Sequence, residues 1–489
     1  MNNLFDRNVY VVKTEPSYPS KAPFHPKNIY KGYLFDENCL DNGNNVYEAV
    51  RNLLIEIGKD KEGFSLDNIL GWLIKPGDRV VIKPNLIKES HINKKNDWEY
   101  IITHGSVVRA VADFVLVALK GKGEVIIADS PQTDSDFDET VKRNGLREIG
   151  DFYNSYGFPV RLIDLREERW FGENGVIQRI EKLLGDPNGY IAIDLGKESA
   201  FRDYSKSGKF YGAYYDTKDT HKYHSQKDNR HIYILSKTCL DCDVFINLPK
   251  MKTHKKAGIT LSMKNLVGIC THKNSLPHFT LGTPDINGDE YPTSSAKQKM
   301  LFLGARVFRR GILSLGDMYG VFRVVKKFID SNLGDELKYT RGGNWYGNDT
   351  VWRMIVDLNR ILFWFDGMGS NLISPRRYLT IVDGIVAGEG EGPMECQPKY
   401  VGLLFGGINP VAVDAVGARL MGFNPYKIPS IYGALKQGTF PIWDLQYDLG
   451  DIIVHSIGIE DFNGILRDIK HKGFEFLAPL GWRGHIEYE

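Results

Sequence analysis

The sequence predicts an α/β protein, with mostly parallel sheet(s), flanking helices and an inserted helical subdomain. Three observations lead there. A strand, a helix and a second strand follow one another between Asp78 and Asp129. Further short apolar runs end in polar residues, and an aromatic stretch between Ser294 and Ser370 breaks the alternation with helical spacing.

In the first unit, Arg79-Val80-Val81-Ile82 is a β-rich run. Ser106 to Lys120 carries Val107, Val108, Val111, Phe114, Val115 and Ala118 at helical intervals, and Glu124 to Ala128 is apolar again. Such a crossover leaves its strands parallel, so Lys83-Pro84-Asn85 and Asp129 are expected at one carboxyl-terminal rim, where open parallel sheets bind ligands. Pro159 to Ile163, Val244 to Ile246, Tyr378 to Val382 and Val401 to Phe405 continue the pattern. Their expected endings are Asp164, Asn247 to Lys250, Asp383-Gly384 and Gly406-Gly407, most of them at the same edge. Asn409 is a good N-cap, Pro410 suits a first turn, and Val411 to Met421 reads as a helix closed by Gly422.

At 489 residues, about two or three domains, or one large core with insertions, are expected. The boundaries read as an α/β core over residues 1–293, a helical insertion over 294–370 with helices at Met300 to Phe328 and Thr350 to Phe365, and the rest of the core over 371–489. Residues 198–230, rich in Tyr, Asp, His and Lys, read as a lid loop.

Hydrophobic residues make up 42% and charged residues 25%, values of a globular chain. Lys plus Arg (62) balance Asp plus Glu (61), which argues against nucleic-acid binding. No leader peptide is visible, and no run approaches the roughly 20 apolar residues of a membrane helix. Five scattered cysteines argue against a disulfide framework, so a cytoplasmic location is expected.

Chemistry concentrates in Asn247 to Lys273, which holds Lys250, Lys252, Lys255, Lys256, Lys264, Lys273, His254 and His272 without one Asp or Glu. Placed after a buried strand and interleaved with small residues, these cations suit carboxylate or phosphate capture, although charge runs are often solvated loops. His254 and Lys264 are the preferred proton-transfer groups: a histidine titrates near neutrality, and a lysine among cations loses its proton more readily.

Acidic candidates are weaker. Asp134, Asp136 and Asp138 fail the EF-hand pattern, with Glu139 at its sixth position and Gly145 at its twelfth, and suit the first turn of a helix near Asp138. Asp129, at a strand end, could bind a cation or orient a lysine. Asp383 and the Gly388 to Pro393 run, with Glu389 and Glu391, suit a metal- or hydroxyl-binding loop, and a solvent-exposed turn explains the same letters. Cys239 and Cys242 form a lone CxxC that suits structural thiols. Dinucleotide, Walker, HExxH and GxSxG motifs are absent.

Taken together, IKPNL (82–86), THGSVVRAV (103–111), ADSP (128–131), INLPKMKTHKKAGITLSMKNLVG (246–268), DGIVAGEGEGP (383–393) and NPVAVDAVGARLMGFNP (409–425) resemble the domain-of-unknown-function family 362. GNWYGNDTVWRMIVDLNRIL (343–362) looks like its longer members. Some members carry a ferredoxin module, which implies electron transfer, but this chain lacks the clustered cysteines, so no Fe–S cluster is expected. The family is also distantly similar to the nickel-dependent lactate racemase fold, where Lys and His hold a nickel-pincer cofactor. That analogy would turn Lys250, His254 and Lys264 toward a reacting carbon. Where members commonly have Asp before the Pro-Val-Ala-Val-Asp helix, this chain has Asn409, and Asp414 is retained.

The resulting expectation is an enzyme for a carboxylated or phosphorylated metabolite. Its catalytic groups would be His254, Lys264 and Lys250, and the anion would lie against Lys83, Asn85, Thr103, His104, Lys252, Lys255 and Asn265. A divalent metal would find Asp129, Asp383, Glu389 and Asp414. Isomerase or racemase-like and oxidoreductase chemistry both stay open, and no organic cofactor is assigned. The rival readings are a non-catalytic carrier of a metal or anionic cofactor, and a redox protein related to the ferredoxin-fused members. A scaffold built on Trp345, Trp352 and Trp364 is weaker still, because such aromatics are more often core.

Overall fold

The structure is a computed structural model and describes residues 4–36, 38–173, 176–213, 218–292, 339–436 and 438–488. Among these residues an 11-stranded sheet forms the backbone of the molecule. Its strands are β1 (Asn8–Lys13), β2 (Arg79–Pro84), β3 (Glu124–Asp129), β4 (Val160–Asp164), β5 (Val244–Leu248), β6 (Lys250–His254), β7 (Gly258–Thr260), β8 (Arg377–Glu391), β9 (Glu395–Gly407), β10 (Ile453–Ile457) and β11 (Gly464–Ile465). They lie in the order β11-β10-β1-β9-β8-β5-β2-β3-β4, and β6 adds to β8 beyond the end of β5. The run β8-β5-β2-β3-β4 is parallel throughout.

The apolar runs explain this layering. Val80 and Ile82 of β2, Val125 and Ile127 of β3, and Val244 and Ile246 of β5 face one hydrophobic cluster. Their neighbours Val81, Ile126 and Phe245 face another, so the central strands are buried on both sides. Helices α1 (Asn45–Gly58) and α2 (Gly105–Leu119) cover the first face. On the second lie the short α3 (Ser262–Asn265), α4 (Val351–Trp364) and α5 (Pro410–Leu420). The crossover expected from Asp78 to Asp129 is present as β2, α2 and β3. Asn409 caps α5 by accepting from the N–H groups of Val411 and Ala412 at 2.8 and 3.0 Å. The helix expected near Asp138 is present over Phe137–Arg143, with Asp136 as its N-cap and Asp138 in its first turn.

Two strand endings differ from expectation. The strand that holds Asp383 continues to Glu391, because residues 383–391 pair with 395–404 in a long antiparallel hairpin. The Gly/Glu-rich run is therefore extended strand rather than a loop, and its glycines answer a packing demand. A Cβ at Gly392 would stand 1.9 Å from the Thr253 carbonyl oxygen. Since β9 runs antiparallel to β8, Gly406-Gly407 ends at the opposite rim.

The helix expected at Thr350 to Phe365 is α4, and Met354, Leu358 and Ile361 sit in the same apolar cluster as Phe245 and Val413. The helix expected at Met300 to Phe328 lies outside the described residues. Within 198–230, Phe201 and Tyr204 are buried in that cluster too.

Candidate functional site

The site is assembled at the carboxyl-terminal rim of the parallel strands. Strand periodicity supplies its first part: Lys250, Lys252 and His254 alternate with Met251 and Thr253 along β6, so the three basic residues share one face. Pairing with β8 sets Lys250 opposite Asp383. The ammonium lies 3.0 Å from Asp383 Oδ2 with both side chains fully buried. Tyr18 closes this pair, donating to Asp383 Oδ1 at 2.5 Å and accepting from Lys250 at 2.6 Å. The backbone N–H of His104 donates to Asp383 Oδ2 at 2.9 Å, and the His104 ring stacks on Tyr18 at 4.0 Å. His104 also caps α2 by accepting from the Ser106 N–H at 3.1 Å. Burial, and then the Lys250 charge, holds its pKa well below the ordinary histidine range.

A second ion pair joins β2 to β3. Lys83 Nζ lies 2.8 Å from Asp129 Oδ1, and Asp129 Oδ2 accepts the Leu86 N–H at 2.8 Å. Gly268 makes room for it, since a Cβ there would lie 2.0 Å from Asp129 Oδ1.

A buried amide network lies on the same rim as the two pairs. Asn85 donates to Asn265 Oδ1 at 2.9 Å, and Asn265 donates to Asn247 Oδ1 at 2.8 Å. Asn247 in turn donates to Tyr378 and to the Ser262 carbonyl, both at 2.8 Å. Thr103 Oγ1 accepts from the Asn85 N–H at 2.9 Å and donates to the Leu248 carbonyl at 2.7 Å. Thr103 and Asn265 thus brace the rim, while Lys252 donates to Asn85 Oδ1 at 3.3 Å and to the Ile101 carbonyl.

Lys264 projects from α3, whose first N–H groups at Ser262 and Met263 are held by Asp414 at 2.7 and 3.0 Å. Among the described residues its ammonium has neither a carboxylate partner nor a hydrogen-bond acceptor. Burial, then Lys252, Lys273 and Lys83, push its pKa down to about 7. Lys252 and Lys256 are also pushed down to about 7, chiefly by burial. His254 and His278 are held well below the usual range by burial and then by the Lys264 charge. His254 Nδ1 accepts the Lys256 N–H at 3.1 Å, so the neutral ring carries its proton on Nε2. His278 Nδ1 faces the Leu276 carbonyl at 2.9 Å and must be the donor, which leaves Nε2 as an acceptor.

Of the anion-binding candidates, Lys83, Asn85, Thr103, His104, Lys252 and Asn265 join this centre. Lys255 does not: it lies in the β6–β7 turn and reaches Glu395 at 3.4 Å. The four proposed metal ligands do not converge. Asp129 and Asp383 pair with separate lysines, Asp414 caps α3, and Glu389 pairs with Lys399 at 3.2 Å and accepts the Leu477 N–H. Among the described residues no three His, Cys, Asp or Glu side chains could hold a metal ion together. Tyr18 and His278 were missed. His278 lies five residues past the basic run, and nothing local marks Tyr18, which meets Asp383 across 365 residues of chain.

The fold and this centre define an α/β protein with a buried, lysine-rich polar site at the carboxyl-terminal rim of parallel strands. The chain belongs to the family described as Domain of unknown function (DUF362), whose model matches residues 80–183 and 178–419. It is 23% identical over 372 residues to a thylakoid-associated protein of Synechocystis sp., covering 76% of this chain and 72% of that protein. A crystal structure of a Thermotoga maritima protein aligns over 80% of this chain with 10% identity and a TM-score of 0.33, and the alignment spans 60% of that protein. No described helix is long and apolar enough to cross a membrane.

Proposed function

We propose that the chain is an enzyme that binds a small carboxylated or phosphorylated metabolite among Lys264, Lys252, Lys256, His254 and His278, and moves a proton on it. The charge balance of the buried centre carries this reading. Lys83 and Lys250 each have an aspartate, while Lys252, Lys256 and Lys264 have no carboxylate partner among the described residues. Buried cations without counter-charge are costly. An entering anion supplies the missing negative charge and draws upward the pKa values of the lysines that hold it, Lys252 and Lys256 first, so binding takes up protons near neutrality. The histidines, neutral at pH 7, are then free to relay a proton.

The test is calorimetric. The full chain is titrated at pH 7 with inorganic phosphate and with lactate, in buffers of different ionisation enthalpy. Binding with net proton uptake, weakened at least tenfold in Lys264→Ala, supports the reading. Equal binding by wild type and variant puts the anion elsewhere and ends it. Lactate is chosen for the resemblance to the lactate racemase fold, and deuterium uptake at its C2 in heavy water checks the catalytic half. The reading also places the protein in the cytoplasm, and fractionation of cells into soluble and membrane pools decides between that and the thylakoid association named for the Synechocystis relative.

A further inference from the structure

Lys264 differs from the basic residues around it in what its nitrogen touches. Lys83 and Lys250 hold aspartates. Lys252 donates to Asn85 and the Ile101 carbonyl, Lys256 to the Gly342 carbonyl, and Lys273 to the carbonyls of Ser130 and Cys270 at 2.8 and 2.9 Å. Each of these nitrogens is engaged with an acceptor. The Lys264 nitrogen has no acceptor among the described residues, although the residue is only 9% exposed. The nitrogen is not among the fully enclosed polar atoms, so it stays open to a small ligand, and as a neutral amine it presents a free lone pair. The α3 turn that carries it is fixed at one end by Asp414 and at the other by the Asn265 network, so the amine is held on a braced element.

We infer that Lys264 is a nucleophile which forms an imine with the carbonyl carbon of a small anionic carbonyl compound, either an oxo acid or a phosphorylated aldehyde or ketone. This rests on the anion-binding reading above and names its substrate class. The flanking lysines take the carboxylate or phosphate, which leaves the carbonyl against the one amine they do not neutralise.

The step balances within the site. The Lys264 lone pair forms the C–N bond as the carbonyl π pair moves to oxygen. The two amine protons then pass one at a time through His278 Nε2 to that oxygen. It leaves as water while the nitrogen lone pair closes the C=N bond. His254, with its proton on Nε2, can donate a hydrogen bond to the oxygen as charge develops there. No oxidant or reductant is needed.

The experiment is reductive trapping. The full chain is incubated with pyruvate, as the carboxylate probe, or glycolaldehyde phosphate, as the phosphate probe, in the presence of sodium cyanoborohydride, then digested and mapped by mass spectrometry. An adduct on Lys264 forming at least tenfold faster than on any other lysine, and absent in Lys264→Arg, is expected, and the faster probe identifies the anion. Thermal stabilisation by phosphate is read in parallel. If phosphate stabilises the wild type but Lys264 is labelled no faster than exposed lysines, the imine is overturned and the anion site stands. If phosphate has no effect and Lys264 is not labelled, both readings fall.

Discussion

Lys250 and Asp383 face each other across neighbouring parallel strands, with 3.0 Å between ammonium and carboxylate and neither side chain exposed. Removing one partner strands the other charge in the interior, which costs about 3–5 kcal/mol. Lys250→Met should therefore lower unfolding stability by about that amount in urea denaturation. Lys250→Met combined with Asp383→Asn should recover a large part of it. A double variant as unstable as the sum of its single changes would contradict the pairing.

The depressed lysines give stability a pH signature. Lys264 sits at about 7 in the folded chain against an ordinary value of 10.5. Between these values the unfolded chain binds a proton that the folded chain does not, so stability without ligand rises with pH across that window. It is lowest below about 7, where both states are charged. Each such lysine contributes a slope of about 1.4 kcal/mol per pH unit. Urea denaturation at pH 7.5 and 9.5 should give Lys264→Met a slope shallower than wild type by about one proton, and the same slope in both would refute the shift.

Gly268 packs directly over the Lys83–Asp129 pair, and a Cβ would lie 2.6 Å from Lys83 Cε and 2.0 Å from Asp129 Oδ1. Gly268→Ala should cost about 1–3 kcal/mol through forced displacement of the pair. A stability within experimental error of wild type would show that the rim can relax around a methyl group.

Asp414 acts on the site through backbone. Burial raises its pKa to about 7, while it accepts the Ser262 and Met263 N–H groups. Asp414→Ala should destabilise by about 1–3 kcal/mol and weaken phosphate binding, because the α3 turn loses its anchor. Asp414→Asn, which keeps one acceptor oxygen but turns its NH2 toward the second N–H, should restore only part of either.

All five thiols are buried, and burial pushes the pKa of Cys239, Cys242, Cys270 and Cys396 upward. The native protein should react negligibly with a disulfide reagent at pH 8 and release five equivalents once unfolded. Rapid native reaction at Cys239 and Cys242 would reopen a redox role for the CxxC pair.

Much of the architecture could be read in advance because it depends on short-range rules. The apolar runs at Val80 to Ile82 and Val244 to Ile246 mark strands, and Asn409 and Pro410 mark a helix start. The concentration of lysine after Val244 to Ile246 is legible in the sequence as a candidate anion-binding stretch. The reach of the Asp383 strand is not legible locally, because glycine and glutamate at 388–391 suit a turn and only the antiparallel partner at 395–404 keeps them extended. Lys255 looked equivalent to its neighbours but falls in a hairpin turn and faces outward to Glu395.

The sequence by itself determined the central strands at Val80 to Ile82 and Val244 to Ile246, the helix that starts at Asn409, and that the basic stretch from Asn247 to Lys273 lacks acids. These follow from backbone preference and from the residue types themselves, whereas the strand that sets Lys250, Lys252 and His254 on one face appears only in the structure. Only the tertiary structure decided which cations are neutralised. Asp129 and Asp383 stand on strands that only the sheet sets beside those of Lys83 and Lys250, whose charges they claim, Tyr18 arrives from near the start of the chain, and Lys264 is buried without an acceptor among the described residues. Proton affinity depends on solvation and on charges that meet only in the folded chain, so the local order of residues could not fix it.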